Sequence, residues 1–240
     1  MNMFEIRRAE DRGNANQGAV NSYFSFSFED YYHNEKHVNF GALIALNEDF
    51  ISPGQGFDLH SHDNIEIFTY MMQGELTQDD ADGRHSVIVG GEVQRISAGS
   101  GVSHCGLNAR GEPAHLLQIW LTPNVRDAKP RCDERRILDT EKDGRFCLLA
   151  SGDGRDGSLP IHQDVSIFAG TFKVGQTATY EVKPGRMAYV HAARGSVTLN
   201  GQVLGHGDAA KVPAATTLVL NGGEKGEVVL IDLPEEHLAH

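Results

Sequence analysis

Turn signals recur in the same order in both halves of this 240-residue chain, and this repeat limits the fold more than any other feature. In the first half a β-type segment ends at Gly74, a hairpin signal follows at Asp82-Gly83, and a further strand candidate reaches Ser97. The second half repeats the order at Gly195, Asn200-Gly201, Gly207-Asp208 and Val212-Pro213. Short strands separated by glycine-rich turns are typical of sandwiches and barrels. The sequence therefore predicts an all-β chain built from two similar halves.

Composition narrows the classes of partner. The formal net charge is −12 and the sequence pI is about 5.4, and no basic run occurs, so we expect no direct binding to nucleic acid. No apolar stretch approaches the roughly 20 residues of a membrane span, and the charged start of the chain lacks the apolar region of a signal peptide. The three cysteines lack metal-type spacing. We expect a cytoplasmic protein with free thiols.

The middle of the chain differs from both halves. Residues 124–143 are charged and contain proline, and residues 151–158 form a Gly/Asp-rich stretch. This segment is the predicted connection between a first domain, residues 1–135, and a second domain, residues 136–240. A short helix is expected around residues 133–139.

Two groups of metal-ligand side chains lie in the first half, about forty residues apart. His60 and His62 are two residues apart, so both point to one face of a strand. Glu66 has the same parity, and His104 begins a second group that includes position 106, which is glycine. Neutral imidazoles bind divalent transition metals well, so the pattern predicts a metal site at His60, His62 and His104.

The second half lacks this set. When the two halves are matched on Gly74 and Gly195, the positions of the first-half ligand candidates are occupied by other residue types. They are Glu181, Lys183 and Met187, with Val219-Leu220 near the position of His104. If the fold is duplicated, the chemistry is expected in the first copy alone.

Several strings in the chain resemble the pirin family of the cupin superfamily. Residues 54–74 follow the first cupin signature, with one extra residue before Gly74, and His104 with Asn108 matches the end of the second. The wider resemblance is carried by Arg7-Arg8-Ala9-Glu10-Asp11-Arg12-Gly13, Gly54-Gln55-Gly56-Phe57, Glu66-Ile67-Phe68-Thr69-Tyr70, Ser97-Ala98-Gly99-Ser100-Gly101, Gln118-Ile119-Trp120 and Arg155-Asp156-Gly157-Ser158-Leu159. It implies a bicupin, with two antiparallel β-barrels in one chain, and a protein that folds as a monomer. Relatives include bacterial proteins with quercetin 2,3-dioxygenase activity.

The resemblance also implies a ligand set of three histidines and one glutamate. These fall on His60, His62, His104 and position 106, where this chain has Gly106. The implied cofactor is a divalent transition metal, iron in the first place, with nickel, copper, manganese or zinc as alternatives. Losing a carboxylate makes the site more positive by one unit and opens a coordination position, so we expect weaker binding. Glu66 is the candidate to replace the glutamate as ligand or catalytic base, and its alternative role is to orient a histidine.

Several other side chains could serve either packing or binding. The parity of Cys105 is opposite to that of His104, which favours packing over metal binding. A strand is predicted through Phe24, Phe26 and Phe28, for packing rather than ligand stacking, although relatives often carry histidine at the first of these positions. Gln118 and Trp120 share a face and could line a cavity or simply pack. His115 is expected to be a satisfied core residue and Asn108 to cap a turn.

Two functions follow. The first is an enzyme, in which a metal at His60, His62 and His104 serves a small flavonol-like aromatic substrate and Glu66 acts as the base, with activity reduced by Gly106. The second is a non-enzymatic binding or regulatory protein that retains the scaffold with a degraded metal site. A redox-sensing thiol at Cys105 is a third and weaker hypothesis.

Overall fold

The computed structural model describes residues 4–235, which form two compact units. The first unit contains residues 13–137 and 161–163, and the second contains the remaining described residues. The strands of the first half are β1 (Glu5–Arg7), β2 (Gly13–Asn16), β3 (Val20–Phe24), β4 (Leu43–Ile51), β5 (Gly56–His62), β6 (Glu66–Gln73), β7 (Glu75–Asp80), β8 (His85–Val89), β9 (Glu92–Ser97), β10 (Val102–Leu107), β11 (Ala114–Leu121) and β12 (Arg131–Arg136). Those that follow are β13 (Cys147–Ser151), β14 (Leu159–Pro160), β15 (Ser166–Phe172), β16 (Thr177–Val182), β17 (Arg186–Arg194), β18 (Ser196–Leu199), β19 (Gln202–Gly205), β20 (Ala209–Val212), β21 (Thr216–Gly222) and β22 (Gly226–Pro234).

Helical structure in the described residues is confined to short pieces. The α-helix α1 spans Asp139–Lys142, and single 3₁₀ turns cover Ala9–Asp11 and Arg155–Gly157. The all-β prediction is therefore confirmed. Within residues 4–235 there is no helix with the length and apolar character that crossing a membrane requires.

The first unit contains two antiparallel sheets. The seven-stranded sheet has the order β12-β9-β6-β11-β4-β3-β2, and the four-stranded sheet has the order β5-β10-β7-β8. The side chains between them include Ile51, Met71, Leu76, Ile88 and Leu116, all essentially inaccessible to solvent. Alternation of apolar and polar residues along strands such as β7 directs one row to this core. Two faces closed on one apolar interior give the barrel that the turn pattern predicted.

A change of register in the four-stranded sheet sets the orientation of the strand with the two histidines. His104 on β10 lies opposite His60 on β5, and Gly106 lies opposite Phe57, so β5 carries one extra residue between the two pairs. This is a β-bulge, which bends a strand and increases its twist. The strands approach so closely there that a Cβ at Gly56 would lie 1.9 Å from the carbonyl oxygen of Gly106. The bulge keeps Phe57, rather than Asp58, opposite Gly106.

The second unit repeats the two-sheet plan with a packed interior. Its seven-stranded sheet has the order β1-β20-β17-β22-β15-β13-β14, and its four-stranded sheet has the order β16-β21-β18-β19. All pairings within it are antiparallel apart from the short β13–β14 pair. Its apolar core includes Phe172, Val190, Leu204, Leu220 and Leu230. The absence of a metal-ligand set from the second copy stays a prediction.

The amino-terminal strand belongs to the second unit. Strand β1 pairs with β20 in the register Glu5 to Lys211, and Phe4 packs into the apolar core of that unit. Residues 161–163, which follow the start of the second half in the sequence, belong to the first unit. No pattern in the sequence indicated that either segment joins the other unit, and the boundary between residues 135 and 136 stays a prediction.

Local predictions were met to different degrees. The hairpin at Asn200-Gly201 is present, and both residues have the positive φ that a type I′ turn needs. The strand predicted through Phe28 ends at Phe24, so that part of the prediction was wrong. Residues 131–136, where part of a short helix was expected, form strand β12, and the helix begins at Asp139.

Candidate metal centre and the adjoining cavity

Three histidines meet where β5 and β10 run side by side. One ring nitrogen from each of His60, His62 and His104 lies within 4.8 Å of the others. The ring centroid of His60 lies 4.7 Å from the ring centroid of His62 and 4.7 Å from that of His104. The ring centroids of His62 and His104 are 5.3 Å apart. The register that sets His104 opposite His60 brings the two segments together. Three imidazoles at this spacing can share one ion, and the metal site itself stays a prediction.

The hydrogen bonding of the three rings leaves nitrogens available. Nδ1 of His60 donates to the carbonyl oxygen of Asp58 over 2.6 Å, which holds the proton on Nδ1 and leaves the Nε2 lone pair free. Nε2 of His62 and both ring nitrogens of His104 are buried, and no hydrogen-bond partner for them exists within residues 4–235. Buried polar atoms without a partner are costly. A divalent metal ion would satisfy these atoms, so the residues present fit such an ion.

The protonation state of the buried rings also suits a metal. Burial lowers the pKa of His62 to about 4, and the neighbouring His60 contributes to the shift. Burial likewise lowers the pKa of His104 to about 4, with added contributions from His60 and His62. Both rings are therefore neutral at physiological pH, which is the state in which imidazole binds metals.

Gly106 leaves room beside this cluster. A Cβ at this position would meet Phe57 Cδ2 at 3.4 Å and the Leu76 side chain at 3.5 Å, both ordinary contact distances. The backbone of Gly106 is outside the left-handed region that favours glycine. Neither the chain conformation nor the packing therefore requires glycine at this position.

Glu66 lies at the start of β6, in the seven-stranded sheet, and has other partners. Its side chain is buried, and its Oε2 accepts a hydrogen bond of 2.8 Å from the Ser97 hydroxyl. Nδ1 of His162 is 3.3 Å from its Oε1, and Arg95 contacts both Ser97 and Asp133. Within residues 4–235 the ligand-type group around the histidines does not include Glu66. The role of Glu66 as ligand or base therefore stays a proposal that requires its carboxylate to leave these partners.

The remaining candidate residues, Cys105, His115 and Asn108, contact other parts of the protein rather than the histidine cluster. Cys105 is half-buried, and its Sγ lies 3.6 Å from the carbonyl oxygen of Asp79. Nε2 of His115 lies 2.8 Å from Glu48 Oε1 inside the protein, as expected for a satisfied core histidine. Nδ2 of Asn108 donates to the carbonyl oxygens of Ile51 and Glu112, so this residue secures a turn.

A cavity of about 270 Å³ adjoins His60 within the first unit. Its size is just below the range of ligand pockets, which span roughly 300–1,000 Å³. Aromatic rings line it, with Phe24 and Phe28 stacked at a centroid distance of 5.3 Å and Trp120 edge-on to Phe28 at 4.9 Å. Gln118 also lines the cavity and accepts a hydrogen bond from Trp120 Nε1. Phe24, Phe28, Gln118 and Trp120 thus form a ligand-accessible wall, whereas packing was the favoured interpretation of the phenylalanines.

Three polar residues that line this cavity were not identified from the sequence. Ser22 on β3 and Asn47 and Asp49 on β4 line the same wall. A carboxylate at the end of an apolar segment was the available signal, since Asn47 and Asp49 have the alternation of a strand with one face inward. His162, beside Glu66, was also missed because it is separated from the first half by the whole connecting segment.

Two stacked sheets repeated in one chain, with a cluster of three histidines in the first repeat, define a bicupin. Comparison with protein-family models identifies the family within the bicupins. The pirin family model matches residues 5–121, and a model described as the quercetinase C-terminal cupin domain matches residues 148–233. The chain belongs to the pirin family.

Individual relatives extend over the whole chain. A Pseudomonas aeruginosa protein that carries a provisional quercetin 2,3-dioxygenase name is 38% identical over 96% of this chain and 100% of its own. Quercetin 2,3-dioxygenase of Escherichia coli K12 is 34% identical over 97% of this chain and 99% of its own. The crystal structure of the bacterial pirin YhhW of Escherichia coli in complex with nickel(II) has a TM-score of 0.91 and 32% identity, covering 97% of this chain and all of that one.

Proposed function

We propose that this protein is a metal-dependent oxygenase of the quercetin 2,3-dioxygenase type with reduced activity. The observation that carries the proposal is the cluster of His60, His62 and His104 beside an aromatic cavity, in which buried nitrogens of His62 and His104 have no hydrogen-bond partner within residues 4–235. Relatives named quercetin 2,3-dioxygenase and a relative crystallised with nickel(II) support the substrate class and a divalent metal. A monomer in the cytoplasm, without nucleic-acid or membrane partners, completes the proposal.

The residues present divide the work between metal binding and substrate positioning. When bound by His60, His62 and His104, an ion supplies Lewis-acid and redox chemistry at an acidic hydroxyl of the substrate. The rings of Phe24, Phe28 and Trp120 stack against an aromatic substrate and exclude water from it. The hydrogen bond from His60 to the Asp58 carbonyl oxygen fixes the orientation of one ligand ring. Iron is the first choice of ion, and nickel, copper, manganese and zinc fit the same donors.

The expected weakness lies in the missing carboxylate. Gly106 contributes neither a negative ligand nor a base, so both metal affinity and proton removal are expected to be lower than in a relative with glutamate there. Glu66 is our candidate replacement. The variant Glu66→Gln tests this role, because glutamine keeps the shape of the side chain and removes its charge.

Aerobic assays of flavonol consumption with protein loaded separately with iron, nickel, copper and manganese test the proposal. We expect slow turnover that requires the loaded metal and is lost in His60→Ala. Turnover as fast as that of a glutamate-bearing relative would contradict the importance of position 106. Glu66→Gln with unchanged turnover and metal content would remove Glu66 from the mechanism.

The vacancy at Gly106 also favours a second function, in which the barrel binds a small aromatic ligand without converting it. Metal analysis of protein purified without chelator separates the two. Stoichiometric transition metal supports the oxygenase, whereas protein that stays metal-free after reconstitution yet binds a flavonol supports the binding function.

A further inference from the structure

A polar patch interrupts the aromatic lining of the cavity beside His60. It consists of Asn47 and Asp49, two residues apart on β4, and Ser22 on the neighbouring strand β3. The pairing of Ser22 with Asp49 across the two strands places their side chains side by side. Asn47 and Asp49 share one face of β4 and are each only 3% exposed. We call these three residues the polar patch.

The patch contains an unused hydrogen-bond acceptor. Oδ1 of Asn47 is buried, and no partner for it occurs among residues 4–235. A buried amide oxygen without a partner costs free energy unless a ligand or a water supplies a donor. Because Asn47 lines the cavity, its oxygen is available to a hydroxyl group of a molecule bound there.

Asp49 is poised to exchange a proton with such a molecule. Burial raises the pKa of its carboxyl to about 7, opposed by the hydrogen bond from Ser22 and assisted by the adjacent Glu48. The Ser22 hydroxyl donates to Oδ1 over 2.5 Å, and it is the side-chain partner that this carboxyl has within the described part of the chain. General bases work best when their pKa lies near the working pH. The second carboxyl oxygen of Asp49 is left for a ligand.

We propose that Asp49 is the residue that binds an acidic hydroxyl of a flavonol-like ligand and accepts its proton. In this step the ligand O–H bond breaks, the proton moves to Oδ2 of Asp49, and the electron pair stays on the ligand oxygen. Asn47 Oδ1 accepts a hydrogen bond from a second hydroxyl, and Ser22 holds the carboxyl in place. No oxidant or reductant is needed.

The inference rests on the proposed flavonol-type ligand and gives Asp49 a task that Gly106 cannot perform. Glu66 is the competing candidate, but its carboxylate already accepts a hydrogen bond from Ser97 and lies 3.3 Å from His162. Asp49, by contrast, lines the same cavity as His60 and the aromatic rings. It is therefore the better placed carboxyl for a ligand stacked in this cavity.

Ionisation of a bound probe tests the proposal without catalysis. 3-Hydroxyflavone is titrated anaerobically with chelator-treated full-length protein between pH 5 and 9, and the absorbance band of its ionised form is measured. We expect a larger ionised fraction for the probe bound to the wild-type protein than for the free probe at the same pH. Asp49→Asn should lower the ionised fraction at least tenfold at pH 8. Asp30→Asn, which removes one charge from an exposed turn, should behave as wild type.

Two further variants keep the test decisive. If Asp49→Asn does not fold, Ser22→Ala replaces it, because loss of the Ser22 hydrogen bond raises the pKa of Asp49, makes it a stronger proton acceptor and should therefore raise the ionised fraction of the bound probe, an effect that loss of packing alone would not produce. A probe that does not bind wild-type protein, or an ionised fraction unchanged in both Asp49→Asn and Ser22→Ala, overturns the inference. Loss of ionisation in Glu66→Gln but not in Asp49→Asn does the same.

The outcome is separate from that of the proposed function. The probe is ionised or not in metal-free protein under argon, where no oxygenation takes place. Ionisation that depends on Asp49 in a protein without turnover supports the inference and contradicts the oxygenase. Turnover that is unaffected by Asp49→Asn supports the oxygenase and contradicts the inference.

Discussion

The ring of His60 donates a 2.6 Å hydrogen bond from Nδ1 to the carbonyl oxygen of Asp58, two residues earlier on the same strand. This contact lies at the bulge where β5 carries one extra residue opposite β10. The bulge therefore does two things at once. It sets His60 opposite His104, and it supplies the carbonyl group that fixes the tautomer of the His60 ring.

Removing His60 should abolish tight metal binding. His60→Ala leaves two imidazoles, so we expect affinity for Ni²⁺ or Co²⁺ to fall at least about 100-fold, with little change in unfolding temperature of the metal-free protein. Isothermal titration calorimetry on chelator-treated protein measures the affinity. His85→Ala is the matched control, because His85 is an exposed histidine paired with Asp79 outside the cluster. Equal losses in the two variants would contradict a site at His60.

Restoring the carboxylate at position 106 should strengthen the site. The backbone of Gly106 accepts a side chain, and a Cβ there meets only ordinary contacts, so Gly106→Glu is expected to fold. A negative ligand should raise Ni²⁺ affinity at least about tenfold. Gly106→Gln, equal in size and neutral, is the control. Affinities that rise equally in both variants would show that side-chain volume, rather than charge, limits the site.

Parity along a single strand was enough to find the histidine cluster. His60 and His62 lie on one strand, so a spacing of two residues placed both on one face, and the register of β10 brought in His104. The same argument does not extend to Glu66, because residues 63–65 separate the strands and β6 belongs to the other sheet. Parity has physical meaning only while the pleat is continuous.

Features that depend on long-range pairing were not predictable. Strand β1 pairs with β20, about 200 residues away. A strand of three residues has too short a sequence pattern to predict which strand it pairs with. The bulge opposite Cys105 and the inward face of Ser22, Asn47 and Asp49 are also settled by tertiary packing. Sequence pattern therefore predicted the fold class and the side-by-side placement of the histidines, while the cavity needed the structure.

The cysteines should differ strongly in reactivity. Burial raises the pKa of Cys132 to about 12, so its thiolate is scarce at neutral pH. We expect iodoacetamide at pH 8 to modify half-buried Cys105 first, with Cys132 reacting at least about 100-fold more slowly until the protein unfolds. Mass spectrometry of timed digests measures both rates. Rapid labelling of Cys132 in folded protein would contradict the burial that we describe. Slow labelling of Cys105 would argue against a redox-sensing thiol there.

The buried carboxyl of Asp49 should make stability depend on pH. Its pKa is about 7 in the folded protein and 3.8 when unperturbed, so the folded state binds the proton more tightly. Its contribution is therefore fully present below about pH 4 and is lost as pH rises through 7, by up to roughly 4 kcal/mol. Asparagine mimics the neutral carboxyl. The unfolding free energy of Asp49→Asn minus that of wild type should thus grow between pH 4.5 and 8.5.

Denaturant titrations at several pH values measure this difference. Taking it between two proteins cancels the opposite trend from His62 and His104, whose lowered pKa values reduce stability as pH falls below about 6.5. Glu48 next to Asp49 and the ionisable groups at the cavity, Glu29, Asp58 and His60, are common to both proteins. A difference that stays constant with pH would show that Asp49 remains ionised in the folded protein. A difference that grows would mean that the fold tolerates a costly carboxyl in the cavity wall, which is expected of a residue kept for binding or proton transfer rather than for stability.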